Sequence, residues 1–320
     1  MLTVLVATYN GAKTLGACLD AYSRLDPPSG GWKLVIVDNA STDSTGSIIR
    51  SFASRLPIHY CQEPMQGKNA ALNTGLREIS GDLVVFTDDD AVPHKEWLTA
   101  MREAVDAHPG YALFGGKILP RWETRPEGWI LECVPLGVAY SVTPPTLREG
   151  EIGAGSLFGP NMAIRASVFA SGCCFDPSIG PRGNGSYTMG SETELSLRLE
   201  RSGLKAWHVE SAVVEHIVQD FQLTPKWILR RAALFGREIY RLHDEKRFVN
   251  SIKLCGVPIY LIRCALLEAG KSAHARLRGD SRKRFGFRWK LNFTLGEMIE
   301  SREHRNSARM AGAAGEPRNP

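Results

Sequence analysis

The stretch Leu83-Val84-Val85-Phe86-Thr87-Asp88-Asp89-Asp90 joins an apolar run to three consecutive carboxylates. A continuous apolar run of this kind is typical of a strand that is buried on both faces of a sheet. Three adjacent carboxylates repel one another unless solvent or a cation neutralises them. The stretch therefore predicts a buried strand that ends in an acidic group, which is either a site for Mg²⁺ or Mn²⁺ or a solvated turn that caps the next helix.

The first hundred residues alternate between apolar runs and segments with apolar residues at helical spacing. Strands that alternate with helices predict an α/β fold, with a mostly parallel sheet covered by helices on both faces. The predicted buried strands are residues 2–8, 33–37, 58–61 and 83–86.

Polar side chains follow three of these strands at their carboxyl ends: Tyr9-Asn10, Asp38-Asn39 and the triplet that begins at Asp88. Ligands of such sheets bind where the strands end. The three strand ends are therefore expected to face one crevice, and this position favours a metal site over a solvated turn.

Six motifs follow one another along the chain: VLVATYN (4–10), VIVDNASTD (35–43), GKNAALN (67–73), DDD (88–90), GPNMAIR (159–165) and GSETELSLRL (190–199). In this order they resemble the family 2 glycosyltransferases with the GT-A fold. The resemblance covers roughly residues 1–220 and ends near Val213-Val214-Glu215-His216. It implies a GT-A-type, Rossmann-like sheet and an inverting transfer of a sugar from a nucleoside-diphosphate donor to an acceptor hydroxyl.

The resemblance assigns roles to residues at the matching positions. It implies that Thr8, Tyr9, Asn10, Asp38 and Asn39 bind the nucleoside, that Lys68 and Asn69 approach the nucleotide or its phosphates, and that Asp88 and Asp89 contact the donor. Asp90 would hold the metal with Asp88. His216 would complete the metal shell or contact the diphosphate, and the alternative is an ordinary histidine at a strand end. Asn161 would contact the donor sugar or the acceptor. Asn39 replaces a second Asp that many relatives carry, which leaves the identity of the base open.

Glu192 is the candidate catalytic base. Relatives usually carry two acids after the glycine, whereas this chain has Ser191-Glu192. Ser191 and Glu194 have the spacing of a capping box, which gives Glu194 a structural role. The helix amino terminus favours the ionised form of Glu192, from which a general base must start. The alternative is that both are ordinary acids of a first helical turn.

The resemblance also implies a cofactor and partners. Mg²⁺ or Mn²⁺ would act with a UDP-, GDP- or dTDP-linked donor and a saccharide or lipid-linked acceptor, in the assembly of cell-surface polysaccharide or glycolipid. The alternatives are a nucleotide-sugar-binding protein with impaired catalysis and a nucleotidyltransferase of similar architecture. A Rossmann oxidoreductase is excluded, because the turn after the first strand lacks the G-x-G-x-x-G pattern.

Composition changes along the chain. The whole chain has a net charge of +5. Residues 271–320 contain 12 Lys and Arg against 5 Asp and Glu, so the excess of positive charge lies in this region. Basic residues mixed with aromatic ones there suit an anionic membrane surface, an RNA contact or a solvated helix face, although no nucleic-acid partner is expected.

The predicted organisation is a nucleotide-sugar-binding half at 1–117, an acceptor-binding and catalytic half at 118–220 with a glycine-rich loop at 172–190, a helical basic region at 221–310 and a disordered tail at 311–320.

The expected location is the cytoplasm, or the inner face of the cell membrane as a peripheral protein. Seven cysteines, an odd number without a C-x-x-C pair, indicate reduced thiols. The chain starts with an apolar strand rather than the basic leader and cleavage site of a signal peptide.

Overall fold

The computed structural model describes residues 1–181, 189–244, 248 and 250–314, without the side chains of 243, 244 and 304–314. The chain divides into two compact units. The first comprises Met1–Thr124 and Leu136–Gln219, and the second comprises Arg125–Pro135 and the chain from residue 220 onward. Part of the predicted glycine-rich loop, at 182–188, lies outside the described residues.

The first unit contains a nine-stranded sheet and the helices that cover it. The strands are β1 (Leu2–Thr8), β2 (Trp32–Asp38), β3 (Ile58–Gln62), β4 (Leu83–Asp88), β5 (Ala91–Pro93), β6 (Leu113–Trp122), β7 (Gly150–Ile152), β8 (Met162–Arg165) and β9 (Ala206–Val218). The helices of this unit are α1 (Leu15–Tyr22), α2 (Thr45–Ser51), α3 (Lys68–Leu76), α4 (Trp97–Ala107), α6 (Leu136–Tyr140), α7 (Ser167–Ala170) and α8 (Ser191–Arg201), while α5 (Gly128–Cys133) belongs to the second unit.

The sheet has the strand order β3-β2-β1-β4-β8-β6-β9-β5, with β7 paired to β9. Its first four strands are parallel, as predicted from the alternation of strands and helices. The other half is mixed: β8 runs antiparallel to β4 and β6, and β9 is parallel to β6. The predicted α/β fold class is confirmed, and the parallel part carries the strand ends that form the crevice.

Side chains of β1 alternate between two apolar layers, one on each face of the sheet. Val4 and Val6 pack into the layer that contains Leu15 of α1. Leu5 packs into the opposite layer, which contains Leu72 of α3. A strand with a core on both faces has no solvated side, which explains the continuous apolar run in the sequence.

Two regions differ from the prediction. The sequence patterns at 205–209 and 213–218 predict two separate short strands, but residues 206–218 form the single strand β9, which bulges opposite Gly116 and Lys117. Segment 125–135 was assigned to the catalytic half, whereas α5 packs within the second unit. There the rings of Trp129 and Phe285 lie 4.5 Å apart. A local apolar pattern does not specify which distant surface a short helix contacts.

The second unit is mainly helical. Its first long helix, α9 (Pro225–Ile239), begins at Thr224, whose hydroxyl accepts the Trp227 N–H. A π-helical turn (Tyr240–Asp244) follows, then the hairpin of β10 (Lys253–Leu254) and β11 (Val257–Pro258), α10 (Ile259–Leu277) and α11 (Ser281–Ala314). The tail predicted to be disordered is thus helical to residue 314, and 315–320 lie outside the described residues.

Aromatic residues of the second unit that suggested a membrane contact are largely core residues. Phe285 and Trp289, which lie in the basic region at 271–320, are buried. Helix α9 lies so close to α11 that a Cβ on Gly236 would overlap the carbonyl of Phe293. Among the described residues, no helix combines the length and the apolarity needed to cross a membrane.

Candidate active site

The carboxyl ends of β1, β2 and β4 meet at one cavity of about 280 Å³. This is the crevice that the three polar strand ends predicted. Its lining residues are Ala7, Thr8, Tyr9, Asn39, Gln66, Gly67, Lys68, Asp88, Asp89, Asp90 and Pro181. Gln66 and Pro181 were missed by the sequence reasoning because no local pattern marks them, and Pro181 reaches the cavity through a backbone bond from Lys68 N–H to its carbonyl.

Asn10 and Asp38 hold the loop after β2. Asn10 adopts a left-handed conformation, with φ of 51°, and its side-chain carbonyl accepts the Thr42 N–H at 2.8 Å. The Asp38 carboxylate accepts the Ser41 N–H at 2.9 Å and the Tyr60 hydroxyl at 2.9 Å. Both oxygens of Asp38 thus accept hydrogen bonds from the protein, one from Ser41 in the loop and one from Tyr60 in β3, so Asp38 orders the end of β2 beside the cavity.

Asn39 shapes the wall formed by residues 63–67. Its amide group donates to the carbonyls of Glu63 and Met65, at 3.0 and 2.8 Å, and its carbonyl accepts the Gly67 N–H at 2.7 Å. An aspartate has no amide donors and would leave both carbonyls without these bonds. The departure from the family pattern therefore has a structural reason in this loop.

Asp89 turns toward β1. Its carboxylate accepts the hydroxyl of Thr8, and a Cβ on Gly11 would overlap both groups. Burial, reinforced by the charge of Asp90, raises the pKa of Asp89 to about 7. Within the triplet, Asp89 is therefore held against the end of β1.

Lys68 joins two acids that lie far apart in the sequence. Its ammonium group lies 2.6 Å from Asp88 Oδ1 and 2.7 Å from Glu192 Oε1. Burial opposes the charge on Lys68, but the two carboxylates outweigh it and hold its pKa well above the usual range. For Asp88, burial raises the pKa and Lys68 partly offsets this rise. The triplet and the candidate base thus share one cation, which is about one fifth exposed.

Glu192 lies in the first turn of α8, beside Gly159. The predicted capping box is wrong: Ser191 is the first helical residue, and the chain enters the helix through Gly190 with φ of 90°. Glu194 instead pairs with Arg198 one turn later, at 2.8 Å. The two acids nevertheless have different partners. Glu194 pairs with a residue of its own helix, whereas Glu192 contacts Lys68 beside the triplet.

Asp90 and His216 face each other at the edge of the cluster. Asp90 Oδ1 is buried without a well-aligned hydrogen bond and lies 3.3 Å from His216 Nε2, while His216 Nδ1 lies 2.7 Å from the Tyr140 carbonyl. Burial opposes protonation of His216, but Asp90 outweighs it and raises the pKa of His216 to about 9. Burial would raise the pKa of Asp90, yet the imidazole lowers it overall.

This pair fits a divalent cation as two of its ligands. A carboxylate oxygen is a ligand for both Mg²⁺ and Mn²⁺, whereas an imidazole nitrogen is a ligand for transition metals, so this pair fits Mn²⁺ better than Mg²⁺. The described residues contain no group of three or more His, Cys, Asp or Glu side chains arranged around one metal position. Asp88 Oδ1, predicted as a further ligand, is engaged by Lys68.

The structure contradicts the role predicted for Asn161. Its side chain is fully buried, accepts the Trp97 indole N–H at 2.8 Å and donates to the carbonyls of Lys117 and Ala212. It therefore joins α4, β6 and β9 in the core and is not among the residues that line the cavity. Asn69 is also buried and donates to the Asp176 carbonyl at 2.7 Å, so it holds the segment that leads to the cavity.

The architecture is that of the GT-A glycosyltransferases, as solved structures show. Staphylococcus aureus TarS 1–349 in complex with UDP-GlcNAc matches with a TM-score of 0.56 at 14% identity, covering 97% of this chain and 92% of that one. The mannosyltransferase PcManGT from Pyrobaculum calidifontis, in complex with GDP-Man and Mn²⁺, matches with a TM-score of 0.56 at 19% identity, covering 98% and 79%. At these identities the likeness concerns the fold.

The model of the family described as glycosyl transferase family 2 matches residues 3–171, more than half of the chain, and the chain belongs to this family. Glycosyltransferase AglE of Haloferax volcanii is 32% identical over 120 residues, 37% of this chain and 39% of AglE. The poly(ribitol-phosphate) beta-N-acetylglucosaminyltransferase TarS of S. aureus is 28% identical over 153 residues, 44% of this chain and 26% of TarS. The matched segment thus spans about two fifths or less of these curated relatives.

Proposed function

We propose that this chain transfers a sugar from a nucleoside-diphosphate sugar to an acceptor hydroxyl, with inversion at the anomeric carbon. The observation that carries the proposal is the buried cluster in which Lys68 joins Asp88 of the strand-end triplet to Glu192 of α8. It brings a cation for an anionic donor and a carboxylate for a proton into one cavity. Family membership supports this activity over the nucleotidyltransferase alternative.

Glu192 acts as the general base in this proposal. It takes the proton of the acceptor hydroxyl while the oxygen attacks the anomeric carbon, and the bond to the diphosphate breaks on the opposite face. One such displacement inverts the configuration. A bound diphosphate offers Lys68 another anion, which weakens the hold of Lys68 on Glu192 and leaves the carboxylate available to the acceptor.

Asp90 and His216 would hold Mg²⁺ or Mn²⁺. When bound, the cation would stabilise the negative charge that develops on the leaving diphosphate. A GT-A structure of similar fold contains Mn²⁺ with GDP-Man, which supports this choice. Because neutral imidazole is the form that ligates a metal, His216 would have to give up the proton that its pair with Asp90 favours before it could act as a ligand.

The donor is a UDP-, GDP- or dTDP-linked sugar, and the acceptor is a saccharide or a lipid-linked saccharide. Structures of similar fold hold UDP-GlcNAc and GDP-Man. The half-exposed ring of Tyr9 lines the cavity and offers a face for the nucleoside base. We place the reaction in cell-surface polysaccharide or glycolipid assembly, in the cytoplasm or at the inner face of the membrane.

The test compares two glutamates of the same helical turn. Nucleotide sugars are first screened with Mn²⁺ or Mg²⁺ by thermal shift, because a ligand that binds the folded state raises the melting temperature. With the best donor, Glu192→Gln is expected to lower donor hydrolysis and transfer by about 10²-fold or more while donor affinity stays within about threefold of wild type. The control Glu194→Gln removes an acid that pairs with Arg198 and should keep its turnover.

Wild-type turnover in Glu192→Gln, or an equal loss in both variants, would refute Glu192 as the base. Donor binding without any hydrolysis or transfer by the wild type would instead support the alternative of a binding protein with impaired catalysis.

A further inference from the structure

Large apolar side chains are exposed on one part of the second unit. Leu266, Leu267 and Leu277 of α10 are 69, 57 and 87% exposed. Ile252 and Leu254, in and beside the adjacent hairpin, are 77 and 60% exposed. These five residues define the surface called here the α10 face, and single exposed leucines elsewhere need no explanation of this kind.

The three leucines point the same way. At about 100° per residue they fall within a sector of about 100° on the helix, with Arg263 between them. The opposite side of α10 is buried through Leu261, Ala265 and Ala275, which orients the leucine side outward. The helix extends about 28 Å, so this side is long enough to lie along a surface.

Cations accompany these leucines, and acids are scarce. Arg263, Arg278 and Lys253 are exposed on or beside the α10 face. The sequence of α10 contains one acid, Glu268, which pairs with Lys271 at 2.7 Å. Exposed leucines interspersed with arginines are the composition of helices that lie in the interface of an anionic bilayer.

The positive charge of the α10 face also argues against a second copy of this chain binding there. A symmetric contact through this face would place the same arginines near one another, and like charges oppose such a contact. An anionic lipid surface complements both features, because leucines enter the acyl boundary while the long arginine side chains extend to the phosphates.

We propose that the α10 face docks on an anionic membrane surface, with α10 parallel to the bilayer. The proposed contact is made by the α10 face and not by the aromatic residues that suggested a membrane contact in the sequence, because Phe285 and Trp289 are buried. The proposal deepens the proposed function, and it rests on that function only in presenting the enzyme to a lipid-linked acceptor.

The test is cosedimentation of the full chain with vesicles of phosphatidylcholine, either alone or with about one quarter phosphatidylglycerol. The wild type is expected to bind the anionic vesicles preferentially. The double variant Leu266→Gln/Leu267→Gln should lose about tenfold or more in partition coefficient, and Arg263→Gln/Arg278→Gln should lose the preference for anionic lipid, at about fivefold per arginine. Leu295→Gln, on the 39% exposed leucine of α11, is the matched control and should bind as the wild type does.

Binding is measured without donor or metal, so it is independent of sugar transfer. Thermal unfolding confirms that the variants are folded, as expected for exposed positions. Failure of the wild type to bind anionic vesicles, or equal binding by the leucine variant, would overturn the proposal. Self-association that the leucine variant abolishes, without vesicle binding, would also overturn it and assign the face to a second copy. Vesicle binding by a chain that neither hydrolyses nor transfers the sugar of any donor would refute the proposed function alone.

Discussion

Replacing Lys68 with methionine removes the cation of the buried cluster and keeps most of the side-chain volume. The Lys68 ammonium lies 2.6 Å from Asp88 and 2.7 Å from Glu192, and the three side chains are 20, 23 and 16% exposed. The Lys68→Met variant therefore leaves two largely buried carboxylates facing each other without their shared partner.

The expected loss of stability follows from these distances. The two carboxylate oxygens are at most about 5 Å apart, which gives a repulsion of about 3 kcal/mol at an effective dielectric constant of about 20. Removing one partner of a buried ion pair typically costs about 3–5 kcal/mol. Because the carboxylates can turn toward solvent in the cavity, we expect the free energy of unfolding to fall by about 2–3 kcal/mol at neutral pH.

The loss should depend on pH with a defined sign. Burial raises the pKa of Asp88, and in the variant Lys68 no longer opposes that rise. The folded state then keeps a proton that the unfolded state releases above its ordinary pKa of about 4. Stability therefore falls as pH rises above that value, so the deficit relative to wild type should be small near pH 5 and largest near pH 8.

Urea unfolding in a chelator, followed by tryptophan fluorescence across that pH range, measures the effect. Lys13→Met is the control, because Lys13 is 62% exposed and its pair with Glu123 should contribute less than about 1 kcal/mol. If Lys68→Met loses no more stability than this control, or if its deficit does not grow with pH, the reasoning about the shared cation is wrong.

Three further predictions concern the surroundings of this cluster. Asn161→Ala removes three buried hydrogen bonds and should lower the free energy of unfolding by about 3 kcal/mol in urea; a variant of wild-type stability that loses donor binding would restore Asn161 to the site. Gly159→Ala places a Cβ against the flexible Glu192 carboxylate and should lower turnover at least tenfold with a stability change below about 1 kcal/mol; unchanged turnover would contradict this. In a chelator, the stabilisation from the pair of His216 with Asp90 should be complete below about pH 6.5 and disappear as pH rises through the His216 pKa of about 9; thermal unfolding of wild type and His216→Gln checks this, and parallel pH curves would count against it.

Local patterns predicted the elements of the nucleotide half well. Each apolar run before residue 90 became a strand of the sheet, because a strand with a core on both faces needs apolar residues at every position. Prediction failed where an element depends on distant partners. The bulge in β9 faces Gly116 and Lys117, and α5 packs against α11. Neither feature can be predicted from the spacing of apolar residues within the segment itself.

The same distinction applies to the site. The sequence indicated that Tyr9, Asp38 and Asp88 follow neighbouring strands and that Glu192 opens a helix. It did not show that Asn39 supports a loop through three hydrogen bonds or that Asn161 is enclosed in the core. Resemblance gave these amides ligand roles because it compares positions, whereas burial and bonding depend on what the rest of the chain places around them.

The sequence by itself determined the α/β class, the parallel strands and the crevice at their carboxyl ends, since strand periodicity and the direction of parallel strands follow from residues close together in the chain. Only the tertiary structure decided that Lys68 joins Asp88 to Glu192 and that Asp90 faces His216. Glu192 lies more than a hundred residues from both Lys68 and Asp88, and His216 lies more than a hundred residues from Asp90. Their charges interact strongly because the folded chain brings them to within about 4 Å in a site largely shielded from water.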